Sequence, residues 1–329
     1  MELPQVSLRS FFVLVFLAAL FTIGFVSEDF SIPLQYPNPK PSAQAIVDSE
    51  ERADIDQKRT PSDFNATPGE RIDSLSQVQW PELDPTLGTA VLWPDDPACA
   101  MHNVSFPLKI KKTFLVSFPR SGNTWTRYLI EGATGLPTGA TYLRVRPLFF
   151  GTTEMRKVEG KVILTKIHFN NRSTVPDDVP VILLLRNPAK SIISYYNFKM
   201  GTGAIKRFRN VSYSSYFTND FANFFDRQLF EWTKLAKDRL LHSRRLLVIP
   251  YEKLQADPIA QVRKAIAFLG VPTAEARLAC LRRHLDGPAL GLQRQIDPYT
   301  TRQKLDLAKA VSYISQLLRR RNFPPLLFD

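Results

Sequence analysis

Cysteine and histidine are scarce in this chain, and a nucleotide-binding lysine loop is missing. Only two cysteines, Cys99 and Cys280, occur in 329 residues. That excludes a disulfide-dense secreted scaffold and a multi-cysteine zinc fold. The four histidines, His102, His168, His242 and His284, have no ligand spacing, so no metal is expected. No Gly-x-x-x-x-Gly-Lys-Ser/Thr segment is present, which argues against a nucleotide kinase with a Walker loop. There is no internal repeat and no low-complexity run, so solenoids and arrays are excluded.

What is present begins with charge and length. The formal net charge is +12 over 329 residues, enough for one sizeable α/β core plus extensions. A basic balance suits anionic partners without choosing among nucleic acid, anionic lipid, acidic donor or glycan. Residues 11–27 are apolar, with Arg9 before them and Glu28 and Asp29 after. The charge bias puts residues 1–10 in the cytosol and the rest in the lumen, through an uncleaved signal-anchor helix. A cleaved signal peptide is the alternative, although Gly24-Phe25-Val26-Ser27 makes a poor cleavage site. Residues 28–95 are proline-rich with weak apolar periodicity and read as an extended stem. Trp80, Leu83, Leu87, Val91, Leu92 and Trp93 suggest that its end docks on the core. In a lumenal chain Cys99 and Cys280 form a plausible disulfide; two buried free thiols are the alternative. Asn65, Asn103, Asn171 and Asn210 open glycosylation triplets that become usable in the lumen.

The stretch most of the chain is organised around is 113–128. Thr113 to Phe118 is a short β-branched and aromatic run that reads as a buried strand. Pro119, Ser121 and Gly122 break it. Asn123 or Thr124 can cap a helix that continues from Trp125. Strand, tight loop and helix start aim backbone amides and a positive dipole end at one point, where an anion can sit. Arg120 adds a fixed charge suited to phosphate or sulfate. Further strands are expected at 161–165, 181–185 and 246–249. Helices are expected at 189–199, 219–240, 259–269 and 274–285. Lys166 and His168 leave the 161–165 strand. Arg186 leaves the next, and Pro188 launches a helix carrying Ser194. Strand carboxyl ends are where open α/β sheets place chemistry.

Phe118-Pro-Arg-Ser-Gly-Asn-Thr-Trp125 resembles the loop with which sulfotransferases grip the 5′-phosphosulfate of their donor, 3′-phosphoadenosine 5′-phosphosulfate (PAPS). The continuation Arg127-Tyr-Leu-Ile-Glu-Gly-Ala-Thr-Gly135 is most similar to the sialate O-sulfotransferase-like module of WSC-domain-containing proteins, although no WSC domain is recognisable. Lys166-Ile-His168 resembles the family's Lys-Thr-His strand end, with Ile167 replacing Thr. Arg186-Asn-Pro-Ala-Lys-Ser-Ile-Ile-Ser-Tyr-Tyr196 resembles its 3′-phosphate segment, and Tyr251-Glu-Lys-Leu254 a segment near the adenine. The resemblance covers roughly residues 110–320.

The resemblance implies an α/β fold, a central parallel sheet flanked by helices related to P-loop kinases, over residues 96–329. It implies donor contacts from Arg120, Ser121, Gly122, Asn123, Thr124 and Trp125, with Arg186 and Ser194 at the 3′-phosphate and Tyr251 near the base. Trp125 and Tyr251 either stack on adenine or belong to the core. His168 takes the general-base role, Arg120 the oxygen bridging phosphate and sulfur, and Lys166 a supporting charge. The family's Arg-Lys-Gly…Gly-x-Trp donor lid is absent. Gly287-Pro-Ala-Leu-Gly-Leu-Gln-Arg294 takes its place, with Arg294 as a candidate second phosphate clamp. The expected activity is sulfuryl transfer to a hydroxyl of a lumenal glycan or glycoprotein at the Golgi membrane, with no nucleic-acid partner. Two other classes stay open: a non-catalytic glycan-binding protein on this fold, and an ATP-dependent kinase of related fold.

Overall fold

A computed structural model describes residues 79–140, 160–168, 174–201, 211–287 and 296–326. The order begins with strands β1 (Thr89–Val91), β2 (Asn103–Ser105) and β3 (Phe114–Ser117) and helix α1 (Asn123–Thr134). Strands β4 (Thr138–Ala140), β5 (Leu164–Ile167) and β6 (Val181–Leu185) and helix α2 (Pro188–Met200) follow. A 3-10 turn (Tyr213–Phe217) leads to helix α3 (Asn219–His242) and strand β7 (Leu246–Pro250). Helices α4 (Tyr251–Ala256), α5 (Pro258–Leu269), α6 (Glu275–Arg283) and α7 (Thr301–Arg320) complete it.

The main sheet has the order β4-β5-β3-β6-β7, and every pair in it is parallel. Parallel sheets are covered on both faces, which is why β3 and β6 are buried along their whole lengths. Side chains alternate by the two-residue period of a strand. Leu115, Ile182, Leu184 and Ile249 face one layer, with Leu129 and Ile130 of α1, Val262 and Ile266 of α5, and Leu278 and Leu281 of α6. Val116, Leu183, Leu185 and Val248 face the other, with Ile192 of α2, Phe225 and Trp232 of α3, and Ile314 and Leu318 of α7. Fully burying one such side chain stabilises by about 1.5–3 kcal/mol, so the sheet is the rigid frame.

The strand expected at 161–165 is displaced to Leu164–Ile167. Pairing decides this: Leu164 stands opposite Thr138, and Ile167 opposite Val116. The short edge strand β4 and the antiparallel pair β1–β2 have no signal in local periodicity. At the end of the stretch read as a stem, Leu92 and Trp93 are buried while Trp80, Leu83 and Val91 stay exposed. Cys99 and Cys280 form a disulfide that ties the segment after Trp93 to α6. Among the described residues no helix is long and apolar enough to cross a membrane. Residues 11–27, Asn65, Asn171 and Asn210 lie outside the described residues.

Candidate active site

β3 lies between β5 and β6, so the loop after it emerges where their carboxyl ends meet. In that loop Arg120 has φ 64° and Gly122 φ 89°. Left-handed backbone is costly for arginine, and such strain persists where surrounding structure imposes it. The cap of α1 is Gly122 rather than Asn123 or Thr124, and no side chain hydrogen-bonds the helix start. The reason is steric. A Cβ at residue 122 would stand 2.3 Å from Cε2 of Tyr251. A helix start without a side-chain cap presents its first-turn amides to an anion instead.

The neighbouring side chains divide into those that face this point and those that support it. Ser121 is fully buried, and its hydroxyl has no hydrogen-bond partner. Thr124 is exposed. Asn123 turns inward: its Nδ2 donates to Ser117 Oγ at 3.0 Å and to the Leu115 carbonyl at 3.5 Å. Trp125 is buried and donates from Nε1 to the Leu285 carbonyl at 2.7 Å. Its ring meets Tyr251 edge-on at 6.0 Å. Trp125 is therefore a core side chain that tethers the segment after α6.

Arg186, at the end of β6, is buried. Its Nη1 donates to the Arg120 carbonyl at 2.7 Å, and its guanidinium lies 4.6 Å from the Tyr251 ring. Burial lowers its pKa from the ordinary arginine value. Asn187 caps α2 by accepting from the Ala189 amide, with Pro188 in the first turn. Ser194, two turns in, accepts from Arg120 Nε at 3.3 Å, and Phe198 lies under the same guanidinium at 5.3 Å. Arg186 and Ser194 thus meet through Arg120.

Lys166 and His168 arrive from β5. Burial, then Arg127 and Arg120, lowers Lys166 from 10.5 to about 8. Burial, then Lys166, lowers His168 from 6.5 to about 4, against a hydrogen bond to the Ser117 backbone that raises it. His168 is therefore neutral near pH 7 and can accept a proton. The cations Arg120, Lys166 and Arg186 share one crevice: Arg120 depresses each of the other two. An anion placed among them would relieve that repulsion.

Two supporting groups were given no role from the sequence. Arg127, on the buried face of α1, donates from Nε to Thr138 Oγ1 at 2.7 Å and adds positive potential behind Lys166. Ser117 contacts His168 across the β3–β5 pair. The contact of α1 with β4 reveals the first, and the parallel register of β3 and β5 the second. Arg294 lies outside the described residues. Among the described residues, Asp96, Cys99 and His284 cluster like metal ligands. The Cys99 sulfur is spent in the disulfide, and Asp96 pairs with His284 at 2.8 Å and Arg283 at 3.1 Å.

A WSCD family member of Drosophila pseudoobscura pseudoobscura is 28% identical over 218 residues, 64% of this chain and 67% of that protein. A WSCD family member of Aedes aegypti is 30% identical over 196 residues, 57% of this chain and 60% of that protein. The match therefore spans about two thirds or less of these relatives. Human Sulfotransferase 4A1 is 26% identical over 197 residues, 55% of this chain and 67% of that protein. The crystal structure of mouse sulfotransferase SULT7A1 complexed with PAP is 17% identical with a TM-score of 0.43, covering 64% of this chain and 85% of that one. The sulfotransferase domain family model matches residues 111–286, from just before β3 to just after α6. With more than half of its length matched, and with the loop after β3, Lys166, His168 and Arg186 inside the match, the chain belongs to the sulfotransferase domain family.

Proposed function

We propose that the protein transfers a sulfuryl group from PAPS to a hydroxyl of a lumenal glycan or glycoprotein. The observation that carries this reading is the convergence of Arg120, Lys166 and Arg186 with a neutral His168 at the carboxyl ends of β3, β5 and β6. The donor fits features of the loop itself. The buried Ser121 hydroxyl lacks a partner, and residue 122 has no room for a side chain. Ser121, Gly122 and the first-turn amides of Asn123 and Thr124 would hold the 5′-phosphosulfate, and Arg186 with Ser194 the 3′-phosphate. The Tyr251 ring would sit near the base, with Trp125 behind it.

The donor supplies an activated sulfuryl group on a phosphate leaving group. His168 takes the proton of the acceptor hydroxyl as that oxygen bonds to sulfur and the sulfur–oxygen bond to phosphate breaks. Arg120 stabilises the departing oxygen by charge alone, since guanidinium does not titrate usefully. Lys166 neutralises charge on the transferring group. Positioning and electrostatics dominate such transfers, as they do in phosphoryl transfer.

Calorimetry with PAPS, its desulfated 3′,5′-bisphosphate product and Mg·ATP tests the donor, and sulfate transfer over a glycan panel tests the acceptor. His168→Ala should cut turnover by about 10²–10⁴ and leave bisphosphate affinity nearly intact. Arg186→Ala should weaken bisphosphate binding by about tenfold to a hundredfold, from loss of a buried charge-assisted bond. Near-normal turnover in the first variant refutes the base assignment, and unchanged affinity in the second refutes the phosphate site. Tight binding of Mg·ATP in place of PAPS would point to a kinase. The proposed setting is a Golgi membrane, with the catalytic domain lumenal behind an N-terminal anchor, from the charges that flank residues 11–27. In intact microsomes the domain should resist protease until detergent is added; digestion without detergent reverses the topology.

A further inference from the structure

We propose that Ser117 and Asn123 form a positioning pair for His168, fixing its ring as the Nδ1–H tautomer so that Nε2 faces the acceptor. The proposal rests on the reading of His168 as the general base. Its observations are independent of activity.

Ser117 is the last residue of β3, and His168 follows the last residue of β5. The parallel register places Val116 opposite Ile167, so Ser117 and His168 are the next neighbours across the pair. His168 Nδ1 lies 2.9 Å from the Ser117 carbonyl oxygen and 3.3 Å from Ser117 Oγ. A carbonyl can only accept. A bare Nδ1 at that distance would set two lone pairs against each other, so Nδ1 carries the hydrogen and Nε2 is left unprotonated.

Asn123 supplies the second half. The Leu115 carbonyl, also an obligate acceptor, faces the same end of the Asn123 amide and fixes which end is Nδ2. Nδ2 then donates to Ser117 Oγ, so that oxygen is held as an acceptor toward both Asn123 and the imidazole. Both residues are buried, at 0% and 4% exposure, so water does not compete for these bonds. The charged groups facing the ring are Lys166 on its own strand and Arg120 on the loop after β3. Neither can accept from Nδ1, so Ser117 supplies the acceptors shown for that nitrogen. Asn123 begins the helix that follows the anion-binding loop. The loop that would grip the donor and the ring that would activate the acceptor thus share one hydrogen-bonded chain.

The test uses the full chain, labelled with ¹⁵N-histidine. Its four histidines give a small spectrum, in which His168 is assigned by its loss in His168→Gln. Long-range ¹H–¹⁵N correlation at neutral pH should show Nδ1 protonated and Nε2 bare; a protonated Nε2 overturns the proposal. In sulfate transfer, Ser117→Ala should lower kcat by about tenfold while bisphosphate Kd stays within about twofold. Asn123→Ala should lower kcat by a similar factor, and Ser117→Thr should restore kcat. Wild-type kcat in Ser117→Ala, or equal losses in kcat and bisphosphate affinity, would overturn it. Failure of the wild-type protein to transfer sulfate would instead sink the functional reading, and the tautomer measurement would still decide the positioning.

Discussion

Gly122→Ala is the substitution that the geometry of the loop addresses most directly. Two costs are present and can be separated. The first is backbone: φ is 89°, and left-handed backbone costs an L-residue about 1–2 kcal/mol. The second is contact: the new Cβ would stand 2.3 Å from Tyr251 Cε2 and 2.6 Å from Cδ2. The Tyr251 ring cannot yield freely, since it is buried between the Arg186 guanidinium and Trp125. Forcing one methyl into packed surroundings costs about 1–3 kcal/mol more. Gly270→Ala is the matched control, because Gly270 has φ 70° and nothing within 4 Å of its would-be Cβ. It should lose the backbone cost alone, about 1–2 kcal/mol, against about 2–5 for Gly122→Ala. At roughly 2–4 °C per kcal/mol for a domain of this size, the two melting temperatures should be clearly apart. Displacing Tyr251 also moves Arg186, so Gly122→Ala should bind the 3′,5′-bisphosphate about tenfold to a hundredfold more weakly. Gly270→Ala should bind it normally. Thermal unfolding and calorimetry on both proteins measure this. Equal melting temperatures with undisturbed bisphosphate binding would refute the claim that this ring and the Gly122 backbone are in obligate contact.

Two further outcomes follow from charge and connectivity. Lys166 is lowered to about 8 and binds an anion only as the ammonium. PAPS affinity should therefore be flat below about pH 8 and fall by up to about tenfold per pH unit above it. Lys166→Gln should abolish that step, and calorimetry between about pH 7 and 9.5 with both proteins checks it. The Cys99–Cys280 bond joins residues 181 apart. Constraining the unfolded chain over that separation is worth about 5 kcal/mol in the chain-entropy account. Denaturant unfolding of the oxidised protein against the double variant Cys99→Ser/Cys280→Ser should show a loss of that order, and a loss below about 1 kcal/mol would contradict it.

Local sequence determined the elements whose signals are short-range. The run Val181–Leu185 is apolar at every position, as suits a strand covered on both faces, and its bounds are those of β6. Asn187-Pro188 specifies a helix start by a cap and a preset φ, and α2 begins at that proline. The order of residues 118–125 likewise announces a strand, a tight loop and a helix start. The sequence alone also pointed to Arg120, Lys166, His168 and Arg186, the residues proposed to carry the chemistry, because each stands at or just beyond a strand end. Tertiary structure decided what those residues touch. Glycine caps α1 because Tyr251, distant in sequence, fills the space a side chain would need. β5 lies further along the chain than its apolar run suggests because register with β3 and β4 outweighs local propensity. That same register, and no pattern within either segment, sets Ser117 beside His168. Such contacts join residues with large sequence separation, and their identity depends on how strands align, a quantity that no local window of the chain contains.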